Sequence, residues 1–138
     1  EELEDSEEAV RWYAKAAAAG SGEAAGRLAV HYFEGDGLPY DIDMGSFWLL
    51  QAVRAEDADA MELLGRLEDA AEAGDDEEAT QIVNFVADPQ GDVPEVGDAL
   101  EIINAHFATR RAAWKLAQAR SRLPSVFVRG SLSAPRLR

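Results

Sequence analysis

An all-α fold built from repeated helix pairs is predicted, and three observations predict it. First, the chain repeats itself: DSEEAVRWYAKAAAAGSGEAAGRLAV, from Asp5, aligns without a gap on DIDMGSFWLLQAVRAEDADAMELLGR, from Asp41. The offset is 36 residues throughout, placing Asp5 on Asp41, Trp12 on Trp48, Ala16 on Ala52, Ala24 on Ala60 and Leu28 on Leu64; a fixed period of this size marks a repeat architecture. Second, the apolar residues fall at helical spacing in both copies, as Ala9, Trp12, Tyr13, Ala16 and Ala17 and again as Phe47, Trp48 and Ala52. Third, the 138 residues are 47% apolar, enough for one domain-sized core. Much of that fraction is alanine, the best helix former but a small contributor of buried area, so thin, closely packed helices are expected.

Each element then follows in order. Gly20 ends the first helix and Ser21 supplies the N-cap of the second, which Gly35, Gly37 and Pro39 break. The segment HYFEGDGLPYDID, residues 31–43, holds four carboxylates and two glycines and invites comparison with ion-binding loops. Counted from Glu34 as a calcium loop, its fifth, sixth and twelfth positions are Leu38, Pro39 and Gly45, so the pattern fails. It also lacks the Gly-Lys-Ser/Thr of a phosphate loop, and reads as a turn with Asp41 or Asp43 capping the third helix. A decayed third unit follows: DDEEATQIVNFVADPQG matches at an offset of 70, with Asp75 on Asp5, Ile82 on Trp12 and Val86 on Ala16. ALEIINAHF matches at 75, with Ile103 on Leu28 and Phe107 on Tyr32. From Phe107 the helical pattern runs unbroken to Pro124, as a terminal cap whose basic side faces water. The predicted organisation is a solenoid over residues 1–119, with its best repeats at 5–74 and degenerate ones at 75–119, and a basic extended tail over 120–138.

Trp12-Tyr13-x-Lys15-Ala16-Ala17-x-x-Gly20, then Ala24-x-x-x-Leu28-Ala29-x-x-Tyr32-x-x-Gly35-x-Gly37-Leu38, resembles the Sel-one-like repeat, a tetratricopeptide relative. The resemblance implies a right-handed α-α superhelix whose concave face holds other proteins, in an adaptor or a subunit of a larger assembly. Trp12, Ala16, Gly20, Leu28, Tyr32, Gly35, Gly37, Trp48, Ala52 and Leu64 are the positions that carry it. The chain departs from that pattern at Gly45, where the family favours alanine; at Glu56, where it favours the helix-ending glycine matched by Gly20; and at Glu68 and Ala71, which replace the residues matched by Tyr32 and Gly35.

Charge divides the chain. All 27 acids lie at or before Glu101 against five bases there, a net −22, whereas the last 37 residues hold eight bases and no acid. Such a body repels nucleic acid, and peripheral membrane contact is open only to the C-terminal segment. A protein partner, or docking against the chain's own acidic body, suits that segment better, through Arg110, Arg111, Trp114, Lys115, Arg120, Arg122, Phe127 and Arg129, with Tyr40 of the acidic turn as a further contact. Val126-Phe127-Val128 could add to a neighbour as a strand.

Nothing in the residues supports catalysis or a cofactor. The absence of cysteine excludes disulfides and thiolate chemistry. His31 and His106, the two imidazoles, lack metal-ligand spacing and are expected near the surface. No serine sits in a G-x-S-x-G elbow. Recurrence of Trp12 and Trp48 at the repeat period reads as core rather than as a ligand platform. No run approaches the ~18 apolar residues of a membrane span, so a soluble chain is expected, its compartment open. The function expected is therefore that of a non-catalytic interaction adaptor. Its rivals are a protein holding a divalent cation in the acidic loops, and one anchored to RNA or anionic lipid through the basic segment.

Overall fold

The computed structural model describes residues 2–89 and 95–122, with side chains from Ser6 onward. Six helices account for the regular structure of these residues: α1 (Glu2–Ala18), α2 (Gly22–Glu34), α3 (Ile42–Arg54), α4 (Ala58–Ala73), α5 (Glu77–Ala87) and α6 (Val96–Ser121). The all-α prediction holds. Of the expected extended tail, residues 120–121 instead continue α6, and residues 123–138, including Phe127 and Arg129, lie outside the described residues, as do residues 90–94 of the loop before α6.

The repeat reappears in the backbone, hydrogen bond by hydrogen bond. At the turn from α1 to α2, Ser21 N–H donates to the Ala16 carbonyl at 2.9 Å and Gly20 N–H to that of Ala17 at 3.0 Å; from α3 to α4, Asp57 donates to Ala52 at 3.1 Å and Glu56 to Val53 at 2.9 Å. Ser21 Oγ accepts from Ala24 N–H at 3.2 Å, and Asp57 Oδ2 accepts from Ala60 N–H at 2.9 Å. Every one of these partners is displaced by the same 36 residues as the sequence match. Each cap satisfies an amide that the first helical turn leaves without an intrahelical acceptor.

Two departures from the repeat have visible causes. α2 stops at Gly35, whose φ of +66° is the left-handed C-cap conformation that glycine adopts at little steric cost. Its counterpart Ala71 has no such freedom, so α4 runs on to Gly74, where φ is +81° and the amide donates to the Ala71 carbonyl at 3.1 Å. At Gly45 the missing side chain is filled by a neighbour. A Cβ there would collide with the ring of Phe33, coming within 2.6 Å of Cδ1.

The chain divides into two compact units, residues 1–103 and 104–138. In the first, successive helices from α1 to α5 pack against one another, and α2 also meets α4 and α3 meets α5. The core is Trp48, Phe47, Leu28, Leu49, Ile103 and Val10, all buried, with the Phe47 and Trp48 rings edge to face at 5.2 Å. Burial of one such aromatic ring contributes roughly 2–3 kcal/mol. In the second unit Phe107 is buried and its ring meets that of His106 at 5.3 Å.

Two expectations are corrected. Trp12 does not join the core: it is 66% exposed while Trp48 is 0% exposed. The reason is position in the array, since α3 packs against α2, α4 and α5 whereas α1 packs substantially on α2 alone. The third unit keeps the aligned register in its packing, Ile82 being buried as the matched Trp48 is, but its N-cap falls one residue later than the alignment implies. Asp76, not Asp75, is the N-cap of α5, its Oδ1 accepting from Ala79 N–H at 3.0 Å. The histidines, expected near the surface, are both half-buried. Leu64 is likewise only half-buried where Leu28 is fully so, and Ala16 half-buried where Ala52 is buried.

Candidate functional site

An open groove of about 270 Å³ runs between α2 and α4, the second helices of successive pairs, with Tyr13 of α1 at one end. Its apolar floor includes Val30, Ala60 and Leu63, and its basic groups are Arg27, His31 and Arg66. These side chains are fixed by local contacts. Tyr13 lies against both neighbours, its ring centroid 5.8 Å from that of His31 and 5.9 Å from Arg27 Cζ. His31 Nδ1–H donates to the Asp36 carbonyl at 2.7 Å, which fixes the ring beside the acidic turn. Arg27 also pairs with Glu23 at 3.5 Å, an exposed i, i+4 bridge that orients more than it stabilises. The groove is amphipathic, since Glu23, Asp57 and Asp59 also line it.

Residues 31–43, suspected in sequence of ion binding, form a turn tied to its own flanks. Asp36 N–H donates to the His31 carbonyl at 3.0 Å, Asp41 N–H to the Tyr32 carbonyl at 3.2 Å, and Asp41 Oδ1 accepts from Met44 N–H at 3.1 Å. Asp41, rather than Asp43, is thus the cap of α3. Gly37, at φ +79°, lies so close to α1 that an added Cβ would sit 3.0 Å from the Ser6 carbonyl oxygen, and Leu38 is buried beside it. Among the described residues no group of three or more His, Asp or Glu side chains is placed to hold a metal ion. Tyr32, beneath the turn, has its phenol pushed up to about 12 by burial and, secondarily, by the charge of Asp41.

Tyr40 projects from the same turn, 52% exposed. Its phenol is raised by partial desolvation, by its hydrogen bond to Glu78 and by the charges of Glu78 and Asp76. This joins the turn to an acidic surface that the sequence reading passed over: Glu68, Asp69, Glu72, Asp75, Asp76, Glu77 and Glu78 are all exposed, with no base between them. A run of carboxylates around a helix junction was the available signal.

Of the remaining predicted contacts, Arg110, Arg111, Trp114, Lys115 and Arg120 lie on α6 and Arg122 just past its end. Arg110, Arg111, Lys115, Arg120 and Arg122 are exposed, and Trp114 and Leu116 are 62% and 63% exposed. The structure thus brings Tyr40 to the acidic junction and groups the basic residues with Trp114 on one helix. It adds the Tyr13–Arg27–His31–Arg66 groove, which spacing alone had not revealed because its members come from three helices.

No protein-family model matches the chain, and no curated protein or solved structure matches it either. No described helix is long and apolar enough to cross a membrane.

Proposed function

We propose that this chain is a non-catalytic interaction module, an adaptor or structural subunit that holds other proteins on a helical-repeat surface. The groove between α2 and α4 carries the reading: an apolar floor with an aromatic ring and two arginines, in a body whose net charge is −22 over its first 101 residues. Aromatic and arginine side chains are those that anchor protein interfaces. Support also comes from the helix contacts, in which α2 meets α4 and α3 meets α5, the adjacency that stacked helix pairs require. On this proposal the pairs wind as a right-handed superhelix of the Sel-one-like kind. The assignment of function from that likeness is an analogy of architecture.

Capture from native extract tests it. The full chain is expected to retain a specific set of proteins, reduced when residues 120–138 are removed; an empty set would overturn the proposal. Calorimetry with calcium and with magnesium addresses the cation-binding rival. Tight, stoichiometric binding lost on Asp36→Asn would favour that rival instead.

A further inference from the structure

The exposed half of α6 carries bases and no acid. Arg111, Lys115, Arg120 and Arg122 are exposed, and among the described residues none of the four forms an ion pair. At 3.6 residues per turn Arg111 and Lys115 share one side with Trp114, while Arg120 lies across the helix and Arg122 follows its end. A helix that settles on a membrane needs one apolar face opposite a polar one, and Leu116 stands away from Trp114 rather than beside it. The surface instead fits an acidic protein surface that offers an aromatic ring. One such surface is present in this chain. Residues 68–78 display seven exposed carboxylates and no base, and Tyr40 lies beside them, hydrogen-bonded to Glu78.

Resting on the interaction reading above and naming one partner for it, we infer that α6 of one copy of this chain docks on the acidic α4–α5 junction of a second copy. Two acidic bodies repel one another, and two basic helices do the same, so only the head-to-tail pairing is attractive. Such a contact joins different surfaces of the two copies. It closes as a symmetric dimer where both contacts form between the same two copies, and otherwise propagates into a ring or an open chain. The contact is a charged one at the protein surface, and salt screens it.

Sedimentation velocity of the full chain at roughly 50 mM and 500 mM NaCl, where screening differs strongly, tests the inference. Species heavier than the monomer are expected at low salt, with the association constant falling by at least ~10-fold at high salt. Arg111→Glu with Lys115→Glu removes the donor helix. Asp69→Lys with Glu72→Lys removes the acceptor, and it should fold well because α4 has no base in its last turn to complement the helix dipole. Each variant alone is expected to be monomeric, and an equimolar mixture to form a one-to-one dimer, because each supplies the surface that the other lacks. A monomer at low salt up to about 100 µM, above the weak range of transient contacts, overturns the inference, as does association that neither variant changes. A monomer that still captures other proteins overturns it while leaving the interaction reading in place. A monomer whose α6 binds phosphatidylserine vesicles or single-stranded RNA overturns it in favour of a polyanion.

Discussion

Glu56 occupies the place of a helix-ending glycine and keeps that glycine's backbone. Its φ is +59°, against +104° at the matched Gly20, and both amides make the same bond into the preceding helix. A β-carbon in the left-handed region costs about 1–2 kcal/mol, partly offset in a glycine by the greater freedom of the unfolded chain. Glu56→Gly is therefore expected to stabilise the fold by about 1 kcal/mol, read as a rise in the urea midpoint at unchanged slope. Tyr32 makes a second prediction at this scale. Its phenol is about 12 in the folded state against an ordinary 10, so the folded chain keeps a proton that the unfolded chain loses. Stability from this group is whole below pH 10 and is lost as pH climbs through 12. Urea melts across that range should show a falling stability that Tyr32→Phe flattens. An equal decline in both proteins would contradict the assignment.

Among the helices, the packing explains where the repeat was legible and where it was not. The caps at Ser21 and Asp41 were readable because each acts on an amide three residues away, so local spacing determines them. The end of α4 was not, because nothing local marks how far a helix continues once Ala71 replaces the stop; the next left-handed glycine decides it. Gly45 was visible as a departure, but its reason lay in Phe33, twelve positions earlier and on the neighbouring helix. Gly45→Ala, although it restores the residue that the resembling family favours, should destabilise the fold by about 1–3 kcal/mol through displacement of that ring. Thermal melting of Gly45→Ala alone and with Phe33→Leu checks this, the second change being expected to recover part of the loss. A neutral Gly45→Ala would show that the ring moves aside freely.

For the molecule as a whole, Trp12 and Trp48 show the limit of reading a repeat as if every copy had the same surroundings. Identical spacing predicted one fate for both, yet the helix at the end of the array has fewer neighbours, and its tryptophan faces water with Lys15 Nζ 5.7 Å from the ring. Trp48→Ala should cost about 3–5 kcal/mol and Trp12→Ala no more than about 0.5 kcal/mol, by denaturant unfolding. Comparable losses at the two positions would contradict the packing described. The groove was illegible for a related reason. It assembles residues from three helices, and only the pairing of α2 with α4 brings its walls together, whereas the acidic junction is a contiguous run to which only Tyr40 is added by the fold. The central claim is that the chain acts through such surfaces rather than through chemistry. Capture from native extract by the parent protein and by Arg27→Glu with Arg66→Glu, both first shown to melt at the same temperature, tests it most directly. The account predicts that the retained proteins fall by at least ~10-fold in the variant, as loss of two interface arginines allows; an undiminished set would contradict it.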